Sequence, residues 1–344
     1  MRTKRSRNIS MNLPVVTMSD VADKAGVSPQ TVSRVIGRPE LVAEKTRLHV
    51  QQIIRELNYI PNEAARNLAS NSSRVVAVVI PTLSSSAFAA EVKSIIDVME
   101  KRGISVIIGN SEYSALREEN IIRTLLERRP LGFILTGNNH TPVAEELLRA
   151  SSLPIVETWD TDREAIDMAT GFSNIAAGRA VGDLFVARGA RRIAFVGGGA
   201  TQDPRASARF EGLAEAIAAA GLSPACRVEL TMPMNTQDGV IGMDEVLRRQ
   251  PLTDAIFFSA DSLALAALLE CNRRGIRVPD QLAICGFGDF DLASFVSPAL
   301  TTVRIQPDAM GERAAHMLLS RLDGAKSEKR TIVLDHQLIR RGTA

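Results

Sequence analysis

The chain has 344 residues, 45% of them hydrophobic, and 41 Lys/Arg against 39 Asp/Glu give a net charge of +2. That length holds a small domain plus a larger two-part body, and no run approaches the roughly 18 apolar residues of a membrane span. The charge is unevenly spread: residues 1–74 carry twelve Lys/Arg and six acids, +6, which leaves −4 for residues 75–344. A positive head on a mildly negative body suits a polyanion-binding module joined to a domain that binds something else. The basic N-terminus MRTKRSRNISMNLP has no apolar segment behind it and is not read as a secretory signal.

The first predicted helix spans 18–25, with Thr17 as its N-cap and Asp20 and Asp23 toward its positive end. Gly26 stops it in a tight turn, Ser28 caps a second helix, and Pro29 takes that helix's first position. Val21, Ala22, Ala25, Val27, Val32, Val35 and Ile36 supply an apolar interior. Gln30, Thr31, Ser33 and Arg34 face outward, polar groups suited to base edges and phosphates in a major groove. A third helix over about 43–57 places Leu48, Val50, Ile53, Ile54 and Leu57 at core spacing, and Pro61 breaks it. Asn62 then caps a short segment, EAARNLAS, too short to be a stable helix alone in water. A generic three-helix bundle explains the apolar spacing. It does not explain the glycine turn, the polar second helix and the marginal fourth helix together, and DNA binding does.

From residue 74 the pattern changes to apolar strands at 75–80, 105–108, 132–135, 155–157, 192–196, 227–230, 255–258 and 282–285. Amphipathic stretches such as 87–102, 174–188, 205–220 and 261–274 separate them. Repeated βα units with apolar strands predict parallel sheets covered by helices on both faces, and their number predicts two α/β lobes.

DVADKAGVSPQTVSRVI, the ELNYIPN break and ARNLA resemble the DNA-binding head of the lactose/galactose-repressor (LacI-type) family. SNIAAGRAVGDLFVARGARRIAFVGG and AICGFGDFDLASFVSPALTTV extend the resemblance over nearly the whole chain. The fold class implied is α/β: an all-α helix-turn-helix head plus a periplasmic-binding-protein-like body of two doubly wound parallel-sheet lobes. The expected parts are a tail over 1–16, the head over 17–61, a hinge helix and linker over 62–73, and the body over 74–344. Lobe 1 is expected over about 74–171 and 304–324, and lobe 2 over about 172–300 and 325–344. The partners implied are palindromic double-stranded operator DNA, a small-molecule effector between the lobes and a second copy of the chain. Thr17, Ser28, Pro29, Gln30, Thr31, Ser33 and Arg34 fall where the head meets DNA. Asn62, Arg66, Leu68 and Ala69 fall on the hinge helix, with Leu68 at the family's minor-groove wedge. No heptad helix follows Arg341, so a homodimer is expected rather than a coiled-coil tetramer.

Arg209, within RFEG, matches the family's effector-binding arginine, and Arg205 lies one turn before it. A guanidinium grips vicinal hydroxyls or a carboxylate through paired donors. At GFGD, Gly288 replaces the first acid of the GxDD or GxDN of sugar-binding members and leaves Asp289. Losing an anion beside an arginine favours a sugar acid over a neutral sugar. Glu157-Thr158-Trp159-Asp160 and Gly171-Phe172-Ser173-Asn174 resemble the family's gluconate-utilisation branch. Trp159 has two readings, cleft lining or simple packing. Ser84 and its neighbours, and Asn110, read either as ligand contacts or as ordinary strand-end and cap residues, and Asp261 as a ligand contact or an N-cap.

Enzyme chemistry finds little support. Gly197-Gly198-Gly199 fails the GxGxxG spacing, and GxxxxGK[ST] and GxSxG motifs are absent. His49, His140, His316 and His336 are scattered, and Cys226, Cys271 and Cys285 lack metal or CxxC spacing, so no metal, no cofactor and a reduced cytoplasmic setting are expected. The reading is a repressor released from its operator by gluconate or a relative (2-ketogluconate, phosphogluconate, idonate). The alternative is an effector-strengthened repressor or activator that responds to a neutral sugar or a phosphorylated sugar acid.

Overall fold

The computed structural model describes residues 16–60, 73–325 and 330–344. The chain divides into a head up to residue 71 and a body from residue 72.

In the head, α1 (Met18–Ala25) opens on a capping box. Thr17 Oγ1 accepts the Asp20 N–H at 3.3 Å, and Asp20 Oδ2 accepts the Thr17 N–H at 2.7 Å. Gly26 ends the helix at φ 65°. Ser28 Oγ accepts the Thr31 N–H at 3.2 Å to start α2 (Pro29–Gly37), and α3 (Glu44–Glu56) follows. Val21, Ala22, Ala25, Val32, Val35, Val50, Ile53 and Tyr59 form the core. Leu48, expected there, is 52% exposed. It lies two residues before the buried Val50, about 200° around the helix from it. The expected hinge helix, with Asn62, Arg66, Leu68 and Ala69, lies outside the described residues.

Lobe 1 of the body alternates β1 (Val75–Ile80), α4 (Ser86–Glu100), β2 (Ser105–Asn110), α5 (Ala115–Glu127), β3 (Phe133–Thr136), α6 (Pro142–Ser151), β4 (Ile155–Thr158) and β5 (Met168–Gly171). Lobe 2 continues with α7 (Asn174–Ala187), β6 (Ile193–Gly198), α8 (Pro204–Ala219), β7 (Cys226–Leu230), α9 (Asp238–Arg249), β8 (Ala255–Phe258), α10 (Asp261–Arg274), β9 (Ala283–Gly288) and β10 (Thr301–Arg304). The chain then returns to lobe 1 for α11 (Pro307–Leu322), which packs on α4, β4 and β5, and for β11 (Thr331–Val333). It crosses once more to place β12 (Gln337–Ile339) in lobe 2.

Both sheets repeat one order: β2-β1-β3-β4-β5-β11 and β7-β6-β8-β9-β10-β12. The pairings are parallel except β10 with β12. Apolar runs such as VVAVVI and AIFF are buried along nearly their full length, as strands covered on both faces require. The last crossover falls later than expected: Thr331–Val333 pairs with β5 of lobe 1, so residues after 325 do not all belong to lobe 2. A three-residue edge strand with two exposed positions carries too little pattern to be placed from sequence.

Aromatic rings bridge the crossovers. Phe88 and Trp159 of lobe 1 stack edge-on at 4.6 Å, and Trp159 reaches Phe172 at 6.2 Å. Phe172 in turn meets Phe287 of lobe 2 at 5.8 Å and His336 at 6.5 Å.

Candidate effector cleft and DNA face

On the head, Pro29, Gln30, Ser33 and Arg34 share an exposed face of α2. Arg34 has no ion pair among the described residues, whereas Lys24 pairs with Glu56 at 3.0 Å. An unpaired, exposed cation beside polar side chains is the arrangement a phosphate backbone neutralises. Thr31 is half-buried, and its hydroxyl lies 2.9 Å from Ser28 Oγ. Thr17 and Ser28 are committed to their helix caps.

Between the lobes lies a cavity, about 490 Å³ with the open solvent at its mouth included, at the C-terminal ends of the strands, where open α/β sheets hold ligands. Lobe 1 contributes Phe88, Tyr113 and Trp159, and lobe 2 contributes Asp203, Arg205, Arg209, Ser259, Phe287 and Gly288.

Arg209 is 5% exposed, and its guanidinium carbon sits 4.1 Å from the Phe287 ring centre. Nη1 donates to Asn174 Oδ1 at 2.6 Å and Nη2 to the Ser259 carbonyl at 3.4 Å, both neutral acceptors. Nε has no partner among the described residues. Burial draws the Arg209 pKa down to about 10, against the opposing pull of Asp203. A buried guanidinium without a carboxylate partner is costly unless an anion completes it. The helix that carries it is seated by a close approach: a Cβ at Gly178 on α7 would run into the Arg209 backbone.

Arg205, one turn earlier, lies 5.6 Å from the Phe88 ring centre, with Nε 3.6 Å from Asp203 Oδ1. Asp203 also caps α8 through the Ala206 N–H.

On the facing lobe, Trp159 holds a left-handed backbone (φ 71°) and donates Nε1 to Glu91 Oε2 at 2.6 Å. Glu91 is buried, and burial raises its pKa to about 7 in spite of the Trp159 and Thr158 hydrogen bonds and nearby Arg205. Tyr113 is also left-handed (φ 58°), and burial pushes its phenol up to about 12. Non-glycine residues in that region cost of order 1–3 kcal/mol and gather where surrounding structure imposes them. Behind them His140 bridges Glu118 at 2.5 Å and Glu157 at 3.0 Å. Burial alone would lower the imidazole, but the two carboxylates outweigh it and raise its pKa to about 9.

Comparison with known proteins supplies the context for both surfaces. Residues 17–62 match the family model for bacterial regulatory proteins of the lacI family, and residues 183–344 match the periplasmic binding protein-like domain. The HTH-type transcriptional regulator GntR of Pseudomonas aeruginosa is 37% identical over 326 residues, 94% of each chain. The chain belongs to the LacI family. It is a transcriptional repressor, not an enzyme. A LacI-family regulator from Silicibacter pomeroyi has a similar structure (TM-score 0.89, 32% identity, covering 95% of this chain and 99% of that one). So does the lac repressor dimer bound to operator and the anti-inducer ONPF (TM-score 0.81, 27% identity, 95% and 98% covered). Among the described residues, no helix is long and apolar enough to cross a membrane.

Within this LacI-family body the predicted site residues separate. Arg205, Arg209 and Trp159 line the cavity. Ser84 lines a neighbouring opening of about 790 Å³ with Ser85 and Met234. Ser85 is the N-cap position of α4 but makes no side-chain cap bond, so the simple capping reading of these serines is not realised.

Other candidates are not among the lining residues. Phe172 is packed among rings of the crossover, and Asp160 accepts the Asp162 N–H at 2.8 Å beneath the surface. Asn110 ends β2 with a buried amide oxygen unpartnered among the described residues. Asp261 neither caps α10, whose N-cap is Ala260, nor reaches the cavity. Its carboxylate accepts the Phe290 N–H at 2.7 Å and the Thr302 hydroxyl at 2.6 Å, and burial raises its pKa to about 6. Asp289 turns away to ion-pair with Arg304 at 2.6 Å and Arg341 at 2.7 Å. Gly288 has φ 128° and borders the cavity with no side chain at all.

Sequence reasoning missed Phe88, Glu91, Tyr113 and Phe287. Tyr113 had a usable signal, since it follows the end of β2 in the loop where such sheets present ligands.

Proposed function

We propose that this repressor senses gluconate or a close relative in the cleft, with the effector carboxylate on Arg209, and leaves its operator when the effector binds. LacI-family repressors work as dimers on operator DNA under a small-molecule effector, and this chain does so in the cytoplasm. The observation that carries the acid reading is Arg209: buried, stacked on Phe287, and bonded only to neutral acceptors. Gly288 supports it by leaving the cavity without an acid at that position. Pro29, Gln30, Ser33 and Arg34 would read the operator, and the hinge residues Asn62, Arg66, Leu68 and Ala69 would complete the contact. Release requires the effector to prefer one lobe arrangement over the other, since equal affinity for both shifts nothing.

The test uses the full chain and palindromic DNA that it selects from a random pool. Gluconate should raise thermal stability and release the DNA, and glucose at the same concentration should do neither. Equal stabilisation by glucose would overturn the acid reading, and tighter DNA binding with gluconate would reverse the sign of the response.

A further inference from the structure

A second chamber, about 510 Å³ with open solvent included, adjoins the first and shares Tyr113 and Arg205 with it. Its chemistry differs. The first is walled by rings, whereas the second is lined by hydrogen-bonding groups such as Ser111, Thr136 and Asn138 from lobe 1 and Gln202 from lobe 2. Arg205, only 8% exposed, stands between them with Nη1 buried and unpartnered among the described residues. Asn138 and Gln202 line only the second chamber, whereas Arg205 borders both.

We propose that the second chamber is a glycosyl subsite, so that the preferred effector is an aldonic acid carrying one further sugar unit. The idea rests on acid recognition at Arg209, which fixes the end from which the sugar extends. Arg205 Nη1, Asn138 and Gln202 then meet hydroxyls of the glycosyl ring.

A second anion, such as a terminal phosphate, suits the chamber less well. Glu118 lines it, and Asp203 already offsets the Arg205 charge. The His140 cation behind Glu118 is shared with Glu157. Hydroxyls escape this conflict, since they donate to a carboxylate or amide oxygen and accept from a guanidinium. The two chambers adjoin through Tyr113 and Arg205, so a ligand held at Arg209 can extend from the first into the second.

Titration calorimetry of the full chain with gluconate, lactobionate (a galactosyl gluconate) and 6-phosphogluconate decides the matter. Lactobionate should bind about tenfold or more tighter than gluconate, and Asn138→Leu or Gln202→Leu should each bring that ratio to within about twofold. Two variants on opposite lobes guard against one that fails to fold. Gluconate binding as tightly as lactobionate would overturn the subsite and leave the acid reading intact. Tightest binding of 6-phosphogluconate would replace it with an anion subsite. No binding of any acid would sink both proposals.

Discussion

Lobe 1 and lobe 2 present the same strand order to the cleft and fill it with different chemistry. Phe88, Tyr113 and Trp159 come from lobe 1, while Asp203, Arg205 and Arg209 come from lobe 2. On the proposed reading the charged jaw would grip an anion whatever the position of the other, because the Arg209 guanidinium is buried within its own lobe by Asn174, Ser259 and Phe287. The ring-lined jaw adds contacts only where the lobes approach. Differential affinity, the quantity that moves a two-state equilibrium, would then originate on the lobe 1 side.

The strongest way to break this division is Arg209→Met. Gluconate affinity should fall roughly a thousandfold, about 4 kcal/mol, which is within the range for truncating one partner of a buried charge pair. The unliganded variant should keep or gain thermal stability, because an uncompensated buried charge has been removed. Calorimetry and thermal melts read the two effects. Unchanged gluconate affinity would take the anion grip away from lobe 2.

Next comes Glu91, the buried acid of the ring-lined jaw. Its unfolded value is 4.5 and its folded value about 7. Between those values the folded chain holds a proton that the unfolded chain has released, so stability falls as pH rises through the window. The loss approaches about 3 kcal/mol above it, at 1.36 kcal/mol per unit. Glu91→Gln keeps an acceptor for Trp159 Nε1 and removes the titration. Urea unfolding from pH 4.5 to 8 should show the wild-type chain losing about 3 kcal/mol relative to the variant. Parallel pH profiles would show that Glu91 stays ionised in its site.

How much of this could be read from the chain follows from the range of each interaction. Thr17 with Asp20 and Ser28 with Thr31 are three residues apart, so the head's caps are legible locally. Arg209 was legible through its RFEG motif, and the strand series through its apolar runs. Glu91 was not, because its partner Trp159 lies 68 residues away and a helical acid reads as solvated until the fold brings them together. Tyr113 and Phe287 face the cavity because of where two sheets place their strand ends, which no local pattern encodes. Asp261 and Asp289 illustrate the converse error. An acid at a strand end or helix start can meet a ligand or brace a loop, and only the structure separates the two.

Asp289 gives the smallest effect and the sharpest check on the charged jaw's limits. Burial opposes ionisation of its carboxyl, but the Arg341 and Arg304 hydrogen bonds prevail and hold it below the usual value. With Arg304 on β10 and Arg341 after β12, the carboxylate ties two segments of the lobe 2 edge together, outside the cavity wall. Asp289→Asn keeps the size and loses the charge. It should lower stability by about 1 kcal/mol, the upper end for a partly exposed ion pair, with the loss shrinking in high salt. Gluconate affinity should stay within about twofold, since Arg209 and Arg205 are the cations that line the cavity among the described residues. A large loss of gluconate binding with intact stability would return Asp289 to the site and extend the charged jaw to the turn after β9.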